Sequence, residues 1–282
     1  MGRYLFLRRL SQGSLLLLFF GSAHFGWSIA GRPVLSGNFS ASRLLGAVPL
    51  ADPLATLQIL ATGHLPASTV VLGALLVLGI YAILGGRSFC SWVCPMNPVS
   101  DFAGWLRKRM GLRSGPTLTR RAKWWVLALT LVLSAILGVA AFELVSPIAM
   151  LHRGILFGGM GAALAAGAVF GAELLHHDGL WCSRLCPLGA FYSLLGHRAA
   201  LRVAFHAPSC THCGECKLVC PEPQVLDLER AAQVGRITSG DCTNCGRCEE
   251  SCPEGSLFLS WRSAATAGPS FELPDPSDCP SG

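Results

Sequence analysis

The sequence predicts a membrane α-helical fold: four transmembrane helices, arranged as two hairpins in parallel repeat, followed by a small C-terminal α+β domain. Three observations predict it. The 282 residues are 51% hydrophobic and only 13% charged, too apolar for an ordinary globular domain. The charged residues thin out in four stretches and crowd between them. Twelve of the thirteen cysteines, all at or beyond position 90, fall into closely spaced runs that occur in pairs.

The four apolar stretches are roughly 10–30, 66–86, 124–146 and 154–176. Each has the length of a bilayer span, about 20 residues, and each is expected to be helical because lipid cannot hydrogen-bond an open backbone. The fourth carries small residues at four-residue spacing, Gly154, Gly158 and Ala162, then Ala163, Gly167 and Gly171. That pattern suits close helix packing. Arg3, Arg8 and Arg9 precede the first stretch, and eight Lys and Arg residues fill 87–123. Arg153 alone lies between the last two stretches. The bias toward basic residues on one side predicts an inner-membrane protein with both termini and the 87–123 loop in the cytoplasm. Arg8-Arg9 with the apolar run and SIAG at 28–31 also suits a signal peptide, but His24, Trp27 and three further spans weigh against cleavage. The net charge of +6 reflects these loops and does not point to nucleic acid.

The C-terminal region reads with little ambiguity. CTHCGECKLVCP supplies Cys210, Cys213, Cys216 and Cys220, and CTNCGRCEESCP supplies Cys242, Cys245, Cys248 and Cys252. Both are the C-x2-C-x2-C-x3-C-P run of bacterial two-cluster ferredoxins, in which the fourth cysteine of each run serves the other cluster. The spacing assigns Cys210, Cys213, Cys216 and Cys252 to one [4Fe–4S] cluster. It assigns Cys242, Cys245, Cys248 and Cys220 to the second. Zinc would take paired C-x2-C elements with four ligands per site, and disulfides are disfavoured in the cytoplasm. The expected domains are a four-helix transmembrane domain at 1–200, a 2×[4Fe–4S] ferredoxin-like domain at 201–262 and a tail at 263–282. Cys279 lies in that tail and receives no role.

A second pair of motifs precedes these runs. FCSWVCP places Cys90 and Cys94, and WCSRLCP places Cys182 and Cys186, each pair after an apolar stretch. C-x3-C spacing puts both sulfurs on one face of a helical turn. The four thiols are candidates for one shared metal or cluster, or for a redox dithiol pair. The bland alternative is packing, since free cysteine is often buried. After the first motif, Phe102, Trp105 and Leu106 are expected against the bilayer, with Arg107, Lys108 and Arg109 toward headgroups.

Four spans, two CxxxCP motifs and a two-cluster domain together resemble the NapH family, membrane quinol dehydrogenase subunits of the periplasmic nitrate reductase system. VPLADPLATLQILATGHLP at 48–66 and FCSWVCPMNP at 89–98 are similar to NapH as well, and the resemblance covers nearly the whole chain. The NosR and CcoG/FixG families share this core but carry extra domains. Only 29 residues follow Pro253, which favours NapH. The resemblance implies electron transfer from membrane quinol toward a periplasmic nitrate reductase, with a NapG-like periplasmic ferredoxin subunit, and NapC, as partners. An alternative is CcoG-like copper handling or cofactor assembly, since soft thiolates suit Cu(I).

Quinol oxidation needs an apolar slot and a proton acceptor close to a hydroxyl. Ionisable residues inside or beside the apolar stretches are few and so are candidates. Glu143, His152 and His64 are selected as the quinol and proton site, and His24, in the outer part of the first span, is expected to line the same outer-face pocket. Glu173 and His176 lie closer to the second CxxxC pair. Packing hydrogen bonds are the competing explanation for each.

Overall fold

Residues 2–29, 31–112, 118–176 and 179–261 are described by a computed structural model. The expected tail at 263–282, with Cys279, lies outside the described residues. In chain order the helices begin with α1 (Arg3–His24), α2 (Pro53–Ala61), α3 (Ser68–Leu84), α4 (Ser88–Trp92) and α5 (Met96–Arg109). They continue with α6 (Ala122–Leu137), α7 (Ala141–Val145), α8 (Pro147–Phe157), α9 (Met160–Leu175) and α10 (Pro187–Gly196). Three short helices follow in the cysteine-rich region, α11 (Glu215–Val219), α12 (Leu228–Val234) and α13 (Arg247–Glu250). The strands are β1 (Ser28–Ile29), β2 (Arg32–Pro33), β3 (Leu35–Gly37), β4 (Ala41–Leu44), β5 (Val48–Ala51), β6 (Leu201–Phe205) and β7 (Leu257–Trp261).

Among the described residues no helix is long and apolar enough to cross a membrane. This corrects the expected four-span membrane fold, and with it the predicted inner-membrane location with cytoplasmic termini. Each stretch fails for a physical reason. Of the first stretch only 10–24 is helical, because α1 ends at His24; the rest of that helix is the basic lead-in, where Arg9 pairs with Asp101 at 2.5 Å and bonds Asn97 and Gln12. Helix α3 has 17 residues, about 25 Å at 1.5 Å per residue, short of the roughly 30 Å hydrocarbon core. The third stretch breaks at Gly138, which ends α6 with φ 69. The fourth breaks at Gly158 and Gly159, with φ 71 and φ 119, between α8 and α9. Left-handed backbone of this kind suits glycine and ends a helix.

The chain forms two compact units. One comprises residues 1–8, 81–92 and 192–282; the other comprises 9–80 and 93–191. Two distant N-terminal segments thus group with the cysteine-rich region.

The larger unit contains an antiparallel β3-β4-β5 sheet, the β1-β2 pair and most of the helices. Asp52 caps α2 by accepting from Leu54 N at 3.0 Å, with Pro53 at the first helical position. Gln58 is fully buried in α2. Its Oε1 accepts from Ser134 Oγ at 3.2 Å and from Phe142 N at 2.9 Å, so one side chain satisfies the polar groups exposed by the break between α6 and α7. Helices α8 and α9 approach so closely that a Cβ on Gly154 would lie 2.2 Å from the Ala162 methyl. The expected headgroup role of Arg107 is also corrected. It is buried and donates to the carbonyls of Glu173 (3.3 Å) and Leu174 (3.1 Å), capping the C-terminus of α9. Phe102 stacks on Trp105 and on Phe170 of α9, each at 5.8 Å.

The smaller unit is built on β6 and β7, paired antiparallel from Leu201↔Trp261 to Phe205↔Leu257. Val203, Phe205, Val225, Leu226, Ala231, Ile237 and Leu257 form its core, with Cys216 and Cys248 among them. The turn before α4 packs tightly on this unit: a Cβ on Gly86 would lie 1.9 Å from the Tyr192 carbonyl oxygen, so only glycine fits.

Candidate functional site

The two cysteine runs fold alike. In the first, His212 (φ 54) and Gly214 (φ 79) adopt left-handed backbone; in the second, Asn244 (φ 49) and Gly246 (φ 76) do so. These are the second and fourth residues after the leading cysteine in both runs. His and Asn are among the few non-glycine residues that tolerate this region. The two kinks curl each run and lead directly into α11 and α13.

The curled runs create two cavities. Cys210, Cys213, Cys216 and Cys252 line the first. Cys220, Cys242, Cys245 and Cys248 line the second. Each cavity therefore takes three thiols from one run and the fourth from the other. Among the described residues no three His, Cys, Asp or Glu side chains are placed to hold a single metal ion.

Backbone N–H groups surround the sulfurs. Those of His212, Lys217, Glu222 and Asn244 bond Cys210, Cys216, Cys220 and Cys242, and Ser256 N reaches Cys252 Sγ at 3.3 Å. Nε2 of His212, on the lining of the first cavity, is buried without a hydrogen-bond partner in the protein. Four thiols, inward N–H donors and an apolar surround fit an iron–sulfur cluster in each cavity, whose sulfurs accept such bonds.

Burial pushes the metal-free thiols up, Cys220 to about 12 and Cys242 to about 11 from an ordinary 9.0. Neighbouring thiols add to the rise at Cys248, Cys210 and Cys216. Folding thus favours the protonated thiols. For the metal-free protein this contribution is intact below pH 9 and is lost as pH rises toward 12, because the unfolded chain ionises first. A thermal midpoint that falls steeply above pH 9 in metal-free protein is the expected result. Cluster-loaded protein, whose ligands are already thiolates, is expected to lack this dependence.

The first CxxxC helix helps build the second cavity. Arg87 is almost fully buried and pairs with Glu222, the residue after Pro221. It also donates to the Asp241 carbonyl at 3.0 Å and lies 3.6 Å from the Asp241 carboxylate. Burial would lower the Arg87 pKa, but Glu222, Cys90 and Asp241 outweigh it and the group stays charged. Ser91 Oγ donates to the Thr243 carbonyl at 2.7 Å, and Trp92 Nε1 to the Asn244 carbonyl at 3.0 Å. Asn244 Nδ2 in turn donates to the carbonyls of Leu84 (3.1 Å) and Leu201 (3.0 Å). The run Asp241–Asn244 is therefore held by side chains from more than 150 residues away. Sequence reasoning missed Arg87, Ser91, Trp92 and Asn244 because no local pattern marks such a partner.

Of the CxxxC cysteines, Cys90 belongs to the smaller unit and Cys94, Cys182 and Cys186 to the larger. Cys90 is hydrogen-bonded to Arg87, and burial pushes its thiol up. Cys94 and Cys186 are buried. The second motif forms a single π-helical turn, Trp181–Leu185, a distortion that tends to mark functional positions. Cys182 Sγ lies 3.6 Å from Ser100 Oγ, which donates to the buried Glu173 at 3.0 Å. Glu173 also accepts from Trp181 N at 3.3 Å, tying α9 to the start of the second motif. His176 ends α9.

The selected quinol-site residues divide. Glu143 accepts from Ser40 Oγ at 2.6 Å. His152 is buried between the rings of Phe19 (4.8 Å) and Phe39 (5.0 Å). Phe39 and Ser40, adjacent in the β3–β4 turn, thus link Glu143 to His152. Nε2 of His152 is buried with no hydrogen-bond partner in the protein, and burial lowers its pKa. His24 Nε2 lies 2.7 Å from the Leu156 carbonyl. His64 is exposed and bonds Thr62 at 3.1 Å; it does not join the others. Asp52 does: burial, with Glu143 nearby, raises its pKa to about 7. Sequence reasoning did not single out Asp52.

Comparisons with known proteins agree with this geometry. A family model described as a 4Fe-4S dicluster domain matches residues 202–253. Another, described as a 4Fe-4S binding domain, matches twice, over 67–113 and 157–205, each time including one CxxxCP motif. The chain is 42% identical over 226 residues to the ferredoxin-type protein NapH of Escherichia coli (strain K12), covering 79% of this chain and 77% of that protein. It is 43% identical over 222 residues to the methylamine utilization ferredoxin-type protein MauN of Methylorubrum extorquens, covering 78% and 75%. It is 40% identical to NapH of Haemophilus influenzae, covering 79% and 77%. No solved structure matches.

Proposed function

Because the chain belongs to the family of the ferredoxin-type proteins NapH and MauN, we propose that it passes electrons from a quinol through two [4Fe–4S] centres toward a periplasmic nitrate reductase. A NapG-like ferredoxin subunit is the proposed immediate partner, with NapC and the reductase beyond it. The observation that carries the electron-transfer reading is the crossed grouping of eight thiols around two cavities. Cys210, Cys213, Cys216 and Cys252 hold one centre; Cys242, Cys245, Cys248 and Cys220 hold the other. The clusters supply one-electron chemistry when bound. The N–H groups of the loops stabilise the thiolates, and the core around Cys216 and Cys248 keeps water from them. The thiols of the two CxxxCP motifs are proposed as further redox or metal-binding groups, supported by their place inside two matches to a 4Fe-4S binding model.

Oxidising a quinol releases two electrons and two protons. His152 supports this reading through its buried, unpartnered Nε2 and its aromatic walls Phe19 and Phe39. Asp52, with a pKa of about 7, is suited to accept a proton near neutral pH.

The test uses anaerobically purified protein. Iron and acid-labile sulfide are measured first, then bleaching of the visible cluster band by a reduced short-chain quinol. Bleaching is expected, and Asp52→Asn or His152→Phe is expected to slow it about 100-fold while leaving reduction by dithionite unchanged. Bleaching by dithionite but not by quinol would remove quinol as the donor. Reoxidation of the quinol-reduced protein by a nitrate-reductase partner, with nitrate as the final acceptor, is expected for the NapH-like role, and its absence would remove that role.

A further inference from the structure

The two cavities differ in charge. Glu222, Asp241 and Arg247 line the second, and two buried guanidiniums are bonded to the backbone that leads into it: Arg87 to the Asp241 carbonyl, one residue before Cys242, and Arg202 to the Ser239 carbonyl, three residues before it. Arg202 donates to the carbonyls of Ile237 (3.2 Å), Ser239 (3.0 Å) and Gly196, which hold the guanidinium in place inside the unit. The lining of the first cavity contributes Glu254 and His212. On the linings alone the balance is similar, two carboxylates and one cation on the second site against one carboxylate and an imidazole on the first; the buried Arg87 and Arg202, behind the second lining, add two cations there.

We propose that Arg87 and Arg202 make the Cys220–Cys242–Cys245–Cys248 site the stronger electron acceptor of the two, so that an electron entering at either site comes to rest there. The proposal rests on the two-cluster reading above. Adding an electron adds one negative charge, and a nearby cation stabilises it most where water cannot screen the pair. Net charge and solvent exposure both set cluster potentials. Exposure works the other way: the first site includes the exposed Cys213, while Cys245 and Cys248 are buried. Charge outweighs exposure because the two guanidiniums are themselves buried and hold the backbone that leads into Cys242. Only one electron moves, from one site to the other, and no bond is made or broken.

The test is a redox titration of the intact, cluster-loaded protein followed by EPR, with dithionite as reductant. Cys213→Ser assigns the wave belonging to the first site. The higher-potential wave is expected to belong to the second site. R202Q is expected to lower that site's electron affinity about tenfold, about 59 mV for a one-electron couple, and R202K to leave it unchanged. E222Q removes the opposite charge and is expected to raise the affinity of the same site by a similar factor. Opposite shifts from the two neutralising changes are not a result that loosened packing would produce. A higher potential at the first site, or shifts of the same sign in R202Q and E222Q, overturns the proposal. Should R202Q lose its iron, E222Q decides alone, and an unchanged or lowered affinity overturns it. Absence of acid-labile sulfide from the parent protein would instead remove the two-cluster reading itself, a separate failure.

Discussion

Arg87→Ala is expected to destabilise the fold by about 3–5 kcal/mol, the cost of stranding one partner of a buried ion pair. The side chains of Arg87 and Glu222 are 1% and 7% exposed, so Glu222 would be left charged and buried without its partner. The same change removes the bond to the Asp241 carbonyl, next to Cys242. Loss should therefore be felt twice: as a lower denaturation midpoint, and as selective loss of the centre held by Cys242, Cys245, Cys248 and Cys220. Arg87→Lys keeps the charge but not the planar fork, and should fall between. An Arg87→Ala protein with the parent midpoint and full sulfide content would show that this pair contributes nothing.

The second large effect is crossed. Cys252→Ser is expected to abolish the centre held by the first run, although Cys252 lies in the second. Cys220→Ser is expected to abolish the centre of the second run. Each single variant should retain half of the iron. The doubles separate the arrangement cleanly. Cys252→Ser with Cys213→Ser should lose no more than either alone, because both serve one site and act as a unit. Cys252→Ser with Cys245→Ser should lose all of it. The reverse pattern, in which each run holds its own four-cysteine centre, would contradict the grouping around the two cavities.

These residues also show what sequence could and could not reveal. The cysteine spacing is local, and a local rule assigns its thiols. The matched glycines Gly214 and Gly246 were visible, but the left-handed backbone at His212 and Asn244 appears only once the loop is built. The apolar stretches were equally visible, yet hydropathy summed along a window does not register where backbone turns. Gly138 and the Gly158-Gly159 pair interrupt the third and fourth stretches, and α1 ends at His24, inside the first. Arg107 illustrates the same limit. Its position after Trp105 suggested an outward charge, whereas a neighbouring helix end offered it carbonyls. Arg87 counted only as one of eight basic residues at 87–123, and Ser91 and Trp92 only as positions inside FCSWVCP, because their partners at 241–244 lie far along the chain.

That distance has a consequence for how the protein is made. Synthesis runs from the N-terminus, at about 5–20 residues per second. Helix α4 and Arg87 leave the ribosome well before the loop they hold, whose hydrogen bonds span 152–154 positions. Until then Arg87 has neither Glu222 nor Asp241. The cysteine-rich unit consequently completes late, as a long-range closure, with the slower kinetics that non-local contacts impose. A fragment starting near residue 201 would carry all eight thiols of the two cavities yet lack the clamp on its second loop. Insertion of iron and sulfide into that loop is accordingly an event that follows synthesis of everything from Arg87 through the second run.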